Sequence, residues 1–185
     1  MLNGKAKQFI QCLTILTGQG FDPWGPLTQA WDESGGFTRV IGDWNFLGIK
    51  KPEKHPWTGK VFVRWTHEYM SIKEGETLEQ TLSRARTNFG GDASLKDGQR
   101  NGEWYVLCTQ EFVDFATCEA ALMWYSDLIH RLYPNSWTGR ADALQFFAGL
   151  MNGPNQYNGN KKYVADLTAL CAELKQNAEL KSLIL

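Results

Sequence analysis

Apolar residues recur at helical spacing along most of the chain and alternate with polar ones in one short region. Helices are predicted over about 5–17, from 23 to Glu33 or Ser34, over 75–88, from Thr117 to just before Pro134, over 138–151 and over 160–176. Residues 60–70 are rich in β-branched and aromatic side chains, which predicts a strand. Glu103–Glu111 is predicted to pair with it, and 89–102 to be a loop. The pattern predicts an α+β fold, mostly α, built around a short hairpin.

An acidic residue lies at the predicted end of the second helix. Asp22 and Pro23 suit the N-cap and the first helical position. The pair Gly35-Gly36 would end the helix soon after Glu33. Because the helix macrodipole disfavours a carboxylate at the C-terminus, the position of Glu33 favours a raised pKa. Glu33 is therefore a candidate general acid.

Composition limits the class of protein. The chain has 185 residues, enough for one domain with a substantial core, and we expect a single domain over 1–185 with a β lobe at about 55–112. Apolar residues make up 43% and charged residues 21%, as in ordinary soluble proteins. A net charge of −1 gives no field that would attract nucleic acid. With 8 Trp, 6 Tyr and 10 Phe, the chain has more rings than a small core needs, so some are expected to line a binding groove.

Several catalytic and metal-binding motifs are absent from the sequence. Residues 67–71 begin like the zinc motif H-E-x-x-H, but Ser71 replaces the second histidine and the segment is predicted to be a strand. Neither a Gly-rich phosphate loop nor a G-x-S-x-G motif occurs. The sequence therefore indicates no metal and no organic cofactor.

Four cysteines are present, at Cys12, Cys108, Cys118 and Cys171. They form no C-x-x-C pair, and we expect them to be buried free thiols. One or two disulfides stay open for a protein that works outside the cell. A cysteine hydrolase also stays open, in which one thiol meets the imidazole of His55, His67 or His130.

The remaining candidate chemistry is a pair of carboxylates. Glu33 at the helix end and Glu68 on the predicted strand, in a domain rich in rings, are the groups that glycoside hydrolysis needs. One carboxyl group of raised pKa protonates the leaving oxygen, and the second group activates water or stabilises the positive charge that develops on the sugar. Without this context, a glutamate at either position would more often be a solvated residue on the protein surface than a catalytic group.

Four short motifs follow one another along the chain. They are WDESG at 31–35, NFLGIK at 45–50, THEY at 66–69 shortly after WTGK at 57–60, and YNGNKKYVADL at 157–167. In this order they resemble A-L-E-S-G-W-G, N-L-F-G-I-K, T-T-E-Y and Y-A-T-D-P-x-Y-A-x-K-L of the family 73 glucosaminidases. These are bacterial peptidoglycan hydrolases that include autolysins, phage lysins and the flagellar rod-cap hydrolase. Residues 112–128 fit the family's F-R-x-Y-x-S stretch and the helix after it, so the resemblance covers about 25–175.

The resemblance implies roles for individual residues. Glu33 matches the family's general acid, Glu68 its second carboxylate and Tyr157 its active-site tyrosine. Asn45 and Phe46 match the motif at the floor of the groove. Substrate contacts are expected from Asn45, Phe46, Trp57, Thr66 and Tyr163. Candidates for stacking on sugar rings are Trp24, Trp44, Trp57 and Trp65.

The family also implies a fold and an activity. The fold is lysozyme-like, with a helical lobe and a β-hairpin lobe flanking a glycan groove, and the activity is cleavage of the β-1,4 bond after N-acetylglucosamine. Retaining, inverting and substrate-assisted mechanisms all stay open. The chain departs from the family pattern at a few positions, which are Gly36, Phe37, Val113, Phe115, the longer segment 72–102 and residues 158–161.

The expected partner is the peptidoglycan glycan strand, and the protein is expected to be a monomer. Two other functions stay open: a non-catalytic peptidoglycan-binding module on the same fold, and a Cys-dependent amidase or peptidase that cuts stem peptides. Action at the cell wall is expected, by a periplasmic, secreted or phage-delivered protein. No signal peptide is evident, because the apolar stretch after Lys7 is interrupted by Gln11 and lacks a small-residue cleavage site.

Overall fold

The computed structural model describes residues 2–52, 57–100 (backbone alone at 97–100), 102–158 and 162–184. Within these residues the helices are α1 Gly4–Cys12, α2 Thr14–Thr17, α3 Trp24–Glu33, α4 Leu78–Phe89, α5 Cys118–Leu132, α6 Pro134–Thr138, α7 Ala143–Met151, α8 Tyr163–Leu174 and α9 Ala178–Ile184. The strands are β1 Val61–Ser71, β2 Ser94–Arg100 and β3 Glu103–Val113. Helices therefore dominate, as the sequence predicted.

Of the two helices that position the site, α5 begins at its predicted cap, Thr117, and α3 begins one residue later than predicted, with Pro23 at the N-cap. The Asp22 carboxylate accepts the Trp24 N–H of α3 at 3.0 Å. The Thr117 hydroxyl accepts the Ala120 N–H of α5 at 3.2 Å. These side chains satisfy backbone donors that would otherwise have no partner in the first helical turn. The predicted ends of α3 and α5 are confirmed.

Three helical predictions need correction. The helix predicted over 5–17 is divided at Leu13 into α1 and α2. The helix predicted over 138–151 begins only at Ala143, as α7, because the Asp142 carboxylate caps it there by accepting the N–H groups of Leu144 and Gln145, both at 2.9 Å. The short α6 before it was not predicted. The sequence did not predict α9.

The sheet is antiparallel, in the order β1-β3-β2. β1 pairs with β3 along its full length, from Val61 opposite Val113 to Ser71 opposite Glu103. The prediction of a loop over 89–102 was wrong, because β2 lies there. Its pairing with β3 is irregular between Leu95 and Gln99, and such a strand lacks the regular alternation that a sequence pattern detects.

Two separate cores divide the molecule into lobes. The larger core lies among the helices and contains side chains such as Phe9, Phe46, Leu122 and Phe146. The smaller one lies between α4 and the sheet and consists of Met70, Ala85, Ala93, Val106 and Cys108. A helical lobe and a small β lobe thus flank a groove. In the part of the chain that the structure describes, no helix is long and apolar enough to cross a membrane.

Candidate active site

A cleft of about 590 Å³ lies between the two lobes. β1 contributes residues 66–69 to one wall, and α5 contributes Trp124, Leu128 and Arg131 to the other. Glu33, at the end of α3 on the helical side, and Gly48 also line the cleft. Both predicted carboxylates, Glu33 and Glu68, therefore face the same space.

Glu33 is the last residue of α3 and is partly buried. Its carboxylate lies against Gly48, where an added Cβ would be 3.0 Å from Glu33 Oε2. Burial raises the pKa of Glu33 to about 7, with a further contribution from the negative charge of Asp32. Lys50 opposes this rise in pKa, and Glu68 adds to it. Near neutral pH a large fraction of Glu33 therefore carries the proton that a general acid needs.

A left-handed turn follows the acid directly. Gly35, Gly36 and Phe37 have φ values of 57°, 69° and 63°, and a non-glycine residue there is strained. The Ser34 hydroxyl supports the turn by accepting the Phe37 N–H at 2.9 Å. The Phe37 ring is buried against the rings of Phe9, Trp31 and Phe46. Core packing thus accounts for Phe37, one of the departures from the family pattern.

Glu68 lies on β1 and is held by a cation. Lys50 Nζ is 2.5 Å from Glu68 Oε1, and the two side chains are 44% and 20% exposed, respectively. The Glu68 environment therefore differs from that of Glu33, whose carboxyl group forms no salt bridge within the described residues. Glu68 is therefore not a freely solvated surface acid, because its side chain is four-fifths covered and paired.

Tyr157 lines the cleft beside Glu33. Its hydroxyl donates to the Leu47 carbonyl at 3.3 Å, and its ring stacks on that of Tyr163 with centroids 6.0 Å apart. Burial raises the pKa of Tyr157 well above its ordinary value, and the nearby negative charge of Glu33 adds to this. The phenol is therefore protonated and acts as a neutral donor.

Three of the predicted substrate contacts lie beneath the cleft. Asn45, Phe46 and Tyr163 are 2%, 1% and 3% exposed. The Asn45 amide donates to the carbonyls of Ile49 at 2.9 Å and Val113 at 2.7 Å, and it accepts the Ile49 N–H at 2.8 Å. Tyr163 accepts a hydrogen bond from Gln29 at 3.1 Å. We therefore assign these side chains to supporting the cleft floor, since burial keeps them from a substrate.

The other two predicted contacts differ from each other. Thr66 lines the cleft. Trp57 packs edge-on against Phe115 and Trp124, and its indole N–H donates to the Lys60 carbonyl at 3.0 Å. Trp57 thus supports the cleft wall from behind, through Trp124.

The sequence pattern missed the helical wall. Trp124, Leu128 and Arg131 line the cleft at positions i, i+4 and i+7 of α5, a spacing that places them on one helix face. None of Trp24, Trp44, Trp57 and Trp65 is among the described residues that line the cleft. Trp65 is 62% exposed on β1. The i, i+4, i+7 spacing was a signal that could have identified the wall.

The cysteines are free thiols. Burial raises the pKa of Cys12, Cys108 and Cys118, whereas a nucleophilic cysteine needs a lowered pKa. His67 stacks on Tyr105, and His130 packs against Trp137. His55, the third histidine considered, lies outside the described residues.

Among the described residues, no cluster of three or more His, Cys, Asp or Glu side chains is arranged to hold a metal ion.

Solved structures with the same fold include a peptidoglycan hydrolase, a glycoside hydrolase domain and the catalytic domain of an autolysin. A peptidoglycan hydrolase mutant from Sphingomonas sp. A1 matches with a TM-score of 0.63 and 18% identity, over 96% of this chain and 97% of that one. A C-terminally truncated glycoside hydrolase domain of Salmonella typhimurium FlgJ matches with a TM-score of 0.58 and 23% identity, over 94% and 99%. The catalytic domain of the autolysin Auto from Listeria monocytogenes matches with a TM-score of 0.57 and 15% identity, over 99% and 89%.

These likenesses confirm the predicted lysozyme-like fold, with its helical lobe, small sheet and intervening groove. No protein-family model matches the sequence, and no curated protein does. At identities of 15–23% the likeness establishes the fold, while the chemistry of this chain depends on its own residues.

Proposed function

We propose that the protein is a glycoside hydrolase of the family 73 glucosaminidase type, which cleaves the β-1,4 bond after N-acetylglucosamine in peptidoglycan. The observation that carries the proposal is the pairing of two unlike carboxylates in one cleft. Glu33 has a pKa of about 7, and Glu68 is an ion-paired carboxylate on the facing strand. Environments that separate two carboxyl groups in this way are typical of glycosidases.

Glu33 is the general acid in this proposal. Its proton passes to the oxygen that links the two sugars as the glycosidic bond breaks, and the positive charge that develops on the sugar ring lies in the cleft. Glu68 supplies the negative charge that stabilises this ring or activates the attacking water. Tyr157 is a neutral phenol near Glu33; its proton is donated to the Leu47 carbonyl, and its oxygen can accept a hydrogen bond from the water or from the N–H of the N-acetyl group.

The fold supports a cell-wall substrate. The structures from Sphingomonas and Listeria are described as a peptidoglycan hydrolase and an autolysin, and a cleft open along the boundary between two lobes suits a polymer. We infer that the protein acts on the wall as a periplasmic, secreted or phage-delivered enzyme. Arg131, Trp124 and Leu128 of α5 would contact the glycan opposite Thr66 and Glu68.

A turbidity assay on purified cell walls tests the proposal. The wild-type protein is expected to clear the walls. A thiol-blocking reagent should leave the rate unchanged, because burial raises the pKa of Cys12, Cys108 and Cys118 and keeps these thiols protonated. Glu33→Gln keeps the shape of the side chain but has no proton to transfer, so it should lose about 100-fold or more in rate. Glu173→Gln on the exposed face of α8 is the matched control.

Each alternative predicts a different result. No clearing by the folded wild type, together with retention on sedimented walls, would indicate a binding module. Clearing that the thiol reagent abolishes would indicate a cysteine amidase or peptidase. Full activity of folded Glu33→Gln would remove Glu33 from the role of the acid.

A further inference from the structure

One loop contacts both carboxylates of the cleft. Residues 45–50 place Gly48 against Glu33 and Lys50 against Glu68. The loop is fixed from beneath by the buried Asn45 amide, which bonds to Ile49 on both its donor and acceptor sides. A side chain on this loop is therefore held in a defined place relative to both acids.

The backbone around Lys50 is also fixed to the sheet. The Val113 N–H donates to the Ile49 carbonyl at 3.2 Å, and the Lys51 N–H donates to the Glu111 carbonyl at 2.8 Å. Lys50 itself forms an isolated antiparallel bridge with Phe112 of β3. The base of the Lys50 side chain thus has little freedom, and its ammonium group reaches Glu68 from a rigid support.

We propose that Lys50 is the positioning residue of the site: its ammonium group, carried on the loop that also contacts Glu33, holds the Glu68 carboxylate in one orientation. The inference rests on the proposed function and adds to it the residue that fixes the orientation of the Glu68 carboxylate in the cleft that Glu33 also lines. An ion pair this exposed contributes little to stability, so its effect is expected on the reaction.

The charges around Glu33 determine whether its pKa rises or falls when Lys50 is removed. The groups that act on Glu33 or respond to it come from six elements: Asp32 on α3, Lys50 on the loop, Glu68 on β1, Tyr125 on α5, Tyr157 before α8, and Tyr163 on α8. Lys50 is the cation in this group and lowers the pKa of Glu33, while Asp32 and Glu68 raise it. Removing Lys50 raises the pKa of Glu33 both directly and by leaving Glu68 without its partner.

Opposite shifts are therefore expected from the two halves of the ion pair. Lys50→Met should move the Glu33 titration upward by about half a unit or more. Glu68→Gln should move it downward, and the double variant should lie between the two. Lys50→Met should also lower kcat, because the Glu68 carboxylate loses its anchor, while Lys50→Arg should restore most of the rate.

The experiment follows the Glu33 side-chain carboxyl carbon by NMR against pH in the wild type and these variants, beside kcat profiles and melting temperatures. Lys7→Met is the control, since Lys7 pairs with Glu179 away from the cleft and its loss changes the net charge equally. The control should leave the Glu33 titration unchanged. The proposal is supported if Lys50→Met and Glu68→Gln shift the Glu33 titration in opposite directions and Lys50→Arg restores most of the rate.

Two results would overturn the assignment of Lys50. One is a Lys50→Met variant that melts earlier but keeps the wild-type Glu33 titration and pH profile, which would make Lys50 a structural link only. The other is an equal shift in Lys7→Met, which would mean that net charge causes the effect. Failure of the proposed function can be distinguished from failure of the Lys50 assignment. If the proposed function is wrong, Glu33→Gln stays active, whatever the titrations show.

Discussion

The two walls of the cleft treat the same kind of side chain in opposite ways. On the helical side, Glu33 ends α3 in a partly buried place beside Gly48, without a salt bridge among the described residues, and its pKa rises to about 7. On the sheet side, Glu68 lies on β1 and pairs with Lys50. Burial on one side and one lysine on the other thus give two glutamates in one cleft unlike electrostatic environments. A carboxyl group of raised pKa beside an ion-paired carboxylate is the arrangement that acid catalysis requires.

The sharpest way to disturb the helical wall is to fill the space next to Glu33. In Gly48→Ala the new Cβ would lie 3.0 Å from Glu33 Oε2, so the carboxyl group must move. Misplacing a reacting group by a fraction of an ångström is expected to lower kcat by about 10- to 100-fold. Steady-state turnover of purified walls measures the loss.

Gly75→Ala is the matched control for this variant. Gly48 and Gly75 have φ values of 60° and 75°, but a Cβ at Gly75 would have no atom within 4 Å. Both variants carry the same backbone strain of about 1 kcal/mol or more, and only one touches the acid. Equal activity in the two would show that the space beside Glu33 is unimportant.

A loss of similar size is expected on removal of the Tyr157 hydroxyl. Tyr157→Phe keeps the ring that stacks on Tyr163 and removes the group that donates to the Leu47 carbonyl. If the hydroxyl orients a water or the N-acetyl group, turnover should fall by about 10- to 100-fold, or about 1.4–2.7 kcal/mol of barrier, with little change in KM. Wild-type turnover in Tyr157→Phe, with weakened binding in Tyr157→Ala, would limit the residue to ring contacts.

The smallest effect is on stability, and it tests the helical wall without any substrate. The pKa of Glu33 is about 7 in the folded protein against an ordinary 4.5, so between these values the folded state binds more protons than the unfolded chain. Stability should therefore fall as the pH rises from 4.5 to 7, and this loss should be absent in Glu33→Gln.

Urea unfolding at pH 4, 6 and 8 measures this difference. The advantage of Glu33→Gln over the wild type should grow from pH 4 to pH 8 and then level off. Stability curves that stay parallel over this range would mean that Glu33 is not held at a raised pKa.

The sequence predicted the parts of this comparison that depend on local pattern. Glu33 at a helix end, Glu68 on a strand and the α+β class follow from capping residues, glycines and alternation. The irregular β2 was missed because its pairing with β3 shifts between Leu95 and Gln99. The break at Leu13 was missed because Leu13 is apolar, keeps helical φ and ψ values and has no side chain that caps α2. The start of α7 was placed too early because capping by Asp142 was not recognised.

The site was less predictable, because it is assembled from distant segments. The pairing of Lys50 with Glu68 spans 18 positions and depends on how residues 49–51 join β3. The burial of Asn45, Phe46 and Tyr163 could not be read from motif letters, since the same letters fit a groove surface or the layer beneath it. To predict that Trp124 and Arg131 line the cleft, one would have to know which face of α5 meets the β lobe.

The most direct test of the account is the chemical identity of the new chain ends. Walls digested by the wild-type protein are reduced with sodium borohydride, hydrolysed and analysed for amino-sugar alcohols, with the Glu33→Gln digest alongside. We expect glucosaminitol from the wild-type digest and none above background from the Glu33→Gln digest. Muramitol would mean that the other glycosidic bond is cut, and clearing without any new reducing ends would contradict the glycosidase function.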